Sequence, residues 1–165
     1  MTPNWALTLA YGLHLVATVV WIGSLAALAW LVLPAARRVL DTQAWGRLLA
    51  EIQKRLDPLS WFCLAVLAGT GMFQLSASPH YQGFLQIDSA WGVAILIKHI
   101  LFAAMAALSA YFTWGLLPAL RRNALRQVAD PAESARLERR NLFLLRLSLF
   151  LSILILALTA LARAS

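Results

Sequence analysis

Four apolar runs of bilayer length dominate this chain, over residues 5–33, 58–77, 90–117 and 142–162. About 20 residues at ~1.5 Å rise each cross a hydrocarbon core, so each run predicts one transmembrane helix. A water-soluble domain is excluded on the same ground. With 61% hydrophobic residues in a chain of 165, a domain this small has too little interior to hide them. The expected fold is all-α, an integral membrane four-helix bundle forming a single domain over residues 1–165.

The charges predict how the bundle sits. The net charge is +7, and the basic residues fall in two of the three connections. The first holds Arg37, Arg38, Arg47, Lys54 and Arg55, and the third holds Arg121, Arg122, Arg126, Arg136, Arg139 and Arg140. The second connection, Ser78 to Ser89, has no Lys or Arg. By the positive-inside rule the first and third connections are cytoplasmic, which places both termini outside. Charge placed this way answers to anionic membrane lipids and not to nucleic acid. The N-terminus has no basic residue ahead of its apolar run and so lacks a signal peptide's charged start. Trp5 and Trp91 near the outer interface, with Trp30, Trp61 and Trp114 near the inner one, fit an aromatic belt.

Both cytoplasmic connections are expected to be helical. Leu40, Trp45, Leu48, Ile52 and Leu56 recur at steps of three to five between charged residues. That predicts an amphipathic connecting helix, on the membrane or against the ends of its neighbours. In Asp130-Pro131-Ala132-Glu133, Asp130 reads as an N-cap, Pro131 as the first helical residue and Glu133 as the capping-box acid. No internal repeat or low-complexity segment is read.

Polar groups inside the spans are the candidates for chemistry, because a Lys at the bilayer centre costs ~2.5–3.5 kcal/mol on insertion scales. His14 lies nine residues after Trp5, and His99, adjacent to Lys98, lies nine after Ala90. At ~1.5 Å per residue both imidazoles sit ~13 Å below the outer boundary. His14, Thr18 and Trp21 share one helical stripe. His99 shares another with Ala103, Ala106 and Ala110, whose small side chains predict that this stripe faces the bundle. Lys98 is rotated ~100° away, with Phe102, Met105 and Ser109. The second helix adds Met72 after the glycine-bearing stretch Gly69-Thr70-Gly71. Thioether and imidazole suit copper, and two facing imidazoles equally suit haem iron. Each residue also has a plain reading: His14 bonding a neighbouring helix, Lys98 snorkelling, Met72 and Met105 packing, His80 exposed in the outer loop. Arg146 is expected to snorkel at the cytoplasmic start of its span. The single cysteine, Cys63, excludes an intrachain disulfide and a CxxC motif, and reads as an inert buried thiol. There is no phosphate loop, nucleophile elbow or HExxH motif, so no enzyme class is assigned. Acidic residues are nearly absent from the spans, which gives a carboxylate proton relay no support.

These residues resemble the copper-resistance protein D (CopD) family of bacterial inner-membrane proteins. His14-Leu15-Val16-Ala17 leading to Trp21-Ile22-Gly23 is similar to the family's His…Trp-x-Gly opening. Trp91-Gly92…Lys98, then Met105 and Leu117-Pro118-Ala119-Leu120, resembles its Gly…Lys segment ending in Leu-x-Pro-x-Leu. The resemblance runs from about Gly12 to Leu120. It implies a multi-pass protein of the bacterial inner membrane with periplasmic termini, associated with copper uptake, tolerance or delivery. It carries over His14, Trp21, Gly23 and Lys98 as motif positions, and it implies a periplasmic copper protein as partner. A second, looser resemblance is to haem-associated proteins of the HemJ type, which share the His…Trp-x-Gly helix and an intramembrane Lys.

Three functions follow as expectations. The first is copper handling in the outer half of the bundle, with His14, Met72 and His99 as metal ligands and Lys98 and Trp21 beside them. The second is a redox protein holding haem b between His14 and His99 for quinol or tetrapyrrole oxidation. The third is an accessory subunit of a respiratory or transport complex. A homo-oligomer stays open, since small-residue stripes serve internal and intermolecular packing alike.

Overall fold

The computed structural model describes residues 4–79, 89–125 and 131–164. Helix α1 spans Asn4–Ala27 and passes through a π-helical turn, Leu28–Val32, into α2, Leu33–Val39. Helix α3 spans Thr42–Ser76. Helix α4, Ala90–Tyr111, passes through a second π-turn, Phe112–Leu116, into α5, Leu117–Leu125, and α6 spans Pro131–Ala164. Among the described residues these make four stretches long and apolar enough to cross a membrane: Trp5–Val39, Gln43–Ser76, Trp91–Asn123 and Pro131–Leu161. The chain is a multi-pass membrane protein.

Local chemistry explains the helix starts. The Asp41 carboxylate accepts from the Ala44 amide at 2.8 Å and opens α3, and the Ser89 hydroxyl accepts from the Gly92 amide at 3.0 Å and opens α4. Pro131 opens α6 with Glu133 in its first turn, as expected. Asp130, the expected cap, and His80 lie outside the described residues.

Three span boundaries differ from the expectation, one of them at the end of the third span, which runs past Pro118 to Leu125. Asp57-Pro58 does not start a helix. The amphipathic connecting segment and the second span are one rod, with Pro58 inside it. Trp45 and Leu49 of that segment are buried in the core, so the segment packs against its neighbours' ends and does not lie on lipid. Likewise the first span does not stop at Pro34, because the helix runs on to Val39. The π-turns accommodate the prolines. A proline within a helix lacks its own N–H and clashes with the carbonyl four residues back. Just before Pro34 the Leu33 amide reaches back to the Leu28 carbonyl, and just before Pro118 the Leu117 amide reaches back to the Phe112 carbonyl. Each wider turn places the ring outside the regular ladder.

These matched turns also correct the expectation of no repeat. Trp30-Leu31-Val32-Leu33-Pro34-Ala35-Ala36-Arg37-Arg38 recurs as Trp114-Gly115-Leu116-Leu117-Pro118-Ala119-Leu120-Arg121-Arg122. In that register the two π-turns coincide, Leu33 corresponds to Leu117, and both leucines are buried. Helix α1 packs mainly on α3, and α4 mainly on α6. Within the second members of these pairs, Leu49 and Leu137 are both buried, and Gln53 meets Asn141 in a 2.8 Å hydrogen bond. Each pair joins a helix that carries a π-turn ahead of a proline to a helix that returns from the basic end.

At the connected ends of α2, α3, α5 and α6 lie most of the arginines, and this is called the basic end below. Of the five tryptophans expected in an aromatic belt, Trp30 and Trp114 are exposed near it and Trp5 at the opposite end, while Trp61 donates to Thr113 Oγ1 and Trp91 lines a cavity within the bundle. Arg146 is exposed, in keeping with the expected snorkelling.

Candidate functional site

A cavity of about 390 Å³ opens in the half of the bundle away from the basic end, with walls from α1, α3, α4 and α6. His14, Trp21, Met72, Lys98 and His99 all line it, so the structure brings the residues singled out in the sequence into one space. Met105 joins them. In the repeat register the α1 wall answers the α4 wall: Tyr11 with Ile95, His14 with Lys98, Leu15 with His99, Thr18 with Phe102, Trp21 with Met105.

The facing of α4 differs from the expected one. Its buried stripe passes through Ala94 and Met105, on the face that carries Lys98 and Phe102, while Ala103 is exposed. Larger apolar side chains on that face fill the bundle better than the alanines do, so His99 reaches the cavity from the side. Gly23 of the Trp-x-Gly motif is exposed, with open space around it, and contributes nothing to the cavity.

Both imidazoles are held by their Nδ1 atoms. His99 Nδ1 lies 2.7 Å from the Ile95 carbonyl, which only accepts, so Nδ1 donates and the neutral ring carries its lone pair on Nε2. His14 Nδ1 lies 2.8 Å from Thr70 Oγ1, and that hydroxyl donates to the Val66 carbonyl at 2.6 Å. The single Thr70 proton is thus used, Nδ1 of His14 donates, and Nε2 again keeps the lone pair. The His14 ring also rests on Gly71, where an added Cβ would stand 3.6 Å from Cε1. Thr70 went unrecognised as a functional residue in the sequence. The Gly69-Thr70-Gly71 stretch is a regular part of α3, and its contribution is this hydroxyl.

The floor of the cavity is a short polar chain. Trp21 Nε1 donates to Ser152 Oγ at 3.2 Å, Ser152 donates to the Ser148 carbonyl at 2.8 Å, and Ser152 Oγ lies 3.8 Å from Met105 Sδ. Trp21 is buried at 5% exposure and closes the cavity toward the basic end. Met72 lines the same space while 48% exposed, which puts its thioether toward the rim.

Among the described residues no three His, Cys, Asp or Glu side chains gather as a metal-binding group. The donors available in the cavity are two imidazoles and two thioethers, a set suited to a soft ion needing few ligands. In metal sites, a histidine that donates its second ring N–H to a fixed acceptor is oriented and made a better ligand, and both histidines here have that arrangement. The same two nitrogens would also serve as axial donors to haem iron.

A family model described as copper resistance protein D matches residues 50–162. The match includes Met72, Lys98 and His99 and begins after the helix that carries His14 and Trp21. No curated protein and no solved structure matches the chain.

Proposed function

The chain belongs to the copper resistance protein D family, and from that premise we propose that it handles copper as cargo in the large cavity. The observation that carries the reading is that His14 and His99, each with Nδ1 held by an oxygen acceptor, line one cavity together with Met72 and Met105. Cu(I) takes nitrogen and soft sulfur donors readily, and Met72 supplies a thioether at the rim. Lys98 adds a positive charge to the same lining, where it tunes the site or meets an anionic group carried with the metal. The arginines gathered at the other end support, by the positive-inside rule, a periplasmic position for the cavity's half of the bundle in a bacterial inner membrane. A periplasmic copper protein is then the partner in uptake, tolerance or delivery.

The test is Cu(I) binding by the purified protein in mild detergent, read by elemental analysis and by competition with a Cu(I) chelator. His14→Ala and His99→Ala should each abolish stoichiometric binding, and Thr70→Val should weaken it ~10–100-fold as loss of an orienting partner. Unchanged stoichiometry and affinity in both histidine variants would overturn the reading.

One observation favours a second reading. A cavity of about 390 Å³ exceeds what a bare ion needs and falls in the ~300–1,000 Å³ range of small-molecule sites. Haem b, ligated by His14 and His99, would supply one-electron chemistry there. A Soret band with sharp bands on dithionite reduction would establish it, and a colourless, copper-loaded sample would reject it.

A further inference from the structure

Helix α6 turns one charged face away from the rest of the chain. Its contacts fix the two flanks: Glu138 pairs with Arg37 of α2 at 3.2 Å, and Arg140 lies over the Tyr111 ring of α4 at 5.5 Å. Between those flanks, on the inner side, Leu137, Asn141, Leu145 and Ser152 are all buried. On the outer side Arg136, Arg139, Phe143, Arg146, Phe150 and Ile153 recur at steps of three and four, and all are exposed. We infer that this face binds an anionic phospholipid of the leaflet at the basic end, with Arg146 as the group that holds the phosphate. The inference depends neither on the occupant of the large cavity nor on which side of the membrane the basic end lies.

Arg146 is unlike the other arginines. The four apolar runs contain two charged side chains, Lys98 and Arg146. Lys98 lines the large cavity, whereas Arg146 is exposed on the outer face. It stands six residues beyond Arg140, ~9 Å deeper along the helix at ~1.5 Å per residue. A cation at that depth on a lipid-facing surface is costly unless it reaches the interface and an anion. The helix supplies the direction. Helical side chains lean toward the N-terminus, and α6 begins at the basic end, so Arg146 leans toward the headgroups, over the turn of Phe143.

The anion has to come from outside the chain. The outer face holds no Asp or Glu, and among the described residues no carboxylate pairs with Arg136, Arg139 or Arg146. A phospholipid phosphate supplies two oxygens that match the planar guanidinium fork. Arg139 stands one heptad nearer the surface on the same stripe, and Arg136 beside it, so both add attraction for an anionic headgroup. Phe150 and Ile153, 61% and 49% exposed, continue the stripe deeper and offer acyl chains an apolar track. A soluble anion could meet Arg136 and Arg139 but has no path along that track to Arg146. The occupant is therefore a lipid. At the equivalent place on α3 stand Pro58, Leu59 and Phe62, exposed and without charge, so the shared packing of the two pairs does not account for Arg146.

The probe is phosphatidylglycerol, titrated against phosphatidylcholine into the native protein in a neutral detergent, with retained lipids counted by native mass spectrometry. Phosphatidylglycerol should be retained in preference, and equal retention of the two lipids overturns the inference without any substitution. Arg146→Gln removes no packing, because the side chain is exposed. It should weaken retention about tenfold, the worth of one charge-assisted contact. Arg146→Lys keeps the charge without the fork and should fall between the two. Arg47→Gln, exposed on α3 away from this face, should change nothing. Equal losses from the Arg47 and Arg146 variants would mean that only overall charge is read, and would overturn the site. Displacement of the lipid by excess inorganic phosphate would overturn it as a lipid site. An Arg146→Gln variant that keeps its lipid but loses cross-linked oligomers would make the face a protein interface instead.

Discussion

Helix α1 presents His14 and Trp21 where α4, in the repeat register, presents Lys98 and Met105. The scaffold is common to the two pairs. Leu33 and Leu117 are buried alike, as are Leu49 and Leu137, and each first helix has its π-turn ahead of a proline. What the pairs bring to the large cavity differs. One contributes a hydrogen-bonded indole, the other a thioether. The leucines named here are equivalent, whereas the α1 and α4 residues that line the large cavity differ in chemistry.

The sharpest way to break this comparison is to truncate equivalent wall residues. Trp21→Ala should cost about 3–5 kcal/mol, since it removes a buried aromatic and its bond to Ser152. It should also open the floor of the cavity. Met105→Ala, at the equivalent position, should cost about 2–5 kcal/mol by lost packing and leave Trp21 in place. Unfolding in a denaturing detergent series reads the difference, and equal losses would make the two walls interchangeable.

A smaller effect is expected where the pairs meet. Gln53→Leu alone leaves the Asn141 amide without its remaining partner and should cost about 1–3 kcal/mol. Adding Asn141→Leu removes the second amide, and the double variant should be less destabilised than the sum of the single ones. Strict additivity in that cycle would mean that the two amides do not act as a pair.

The smallest expected difference lies at the basic end. Arg37 pairs with Glu138 at 3.2 Å and lies over the Trp45 ring at 5.6 Å, whereas its equivalent, Arg121, is exposed. Arg37→Gln should cost at most about 1 kcal/mol, mostly lost at high salt. Arg121→Gln should cost less and show little salt dependence. Equal, salt-insensitive responses would remove this distinction between the halves.

Much of this was legible in the sequence, because bilayer physics leaves strong marks. Apolar runs between arginine clusters give the four spans, and the cost of burying a charge in lipid draws attention to His14, Lys98 and His99. Two polar contacts between helices were hidden for a physical reason. Asp57 precedes a proline and follows Lys54 and Arg55, so it reads as part of a connection; α3 instead carries it to the Thr113 hydroxyl, where neighbouring helices tolerate Pro58. Asn141, next to Arg139 and Arg140, was masked in the same way. The repeat was hidden because its marker residues lie near the ends of α1 and α4, while the spans between them have kept their hydrophobicity and not their identities. The orientation of His14 rests on Thr70, a contact across 56 positions of sequence that no local spacing announces.

The paired π-turns also bear on how the two spans carry their prolines. A π-turn holds one residue more than the α-helical turn it replaces, so the helix takes up the proline without losing its course. Here the wider turn stands at the same register in both spans, each time just ahead of the same Leu-Pro-Ala. The slack is thus built into the chain on both sides of the bundle, and Pro34 and Pro118 sit in rods that continue past them.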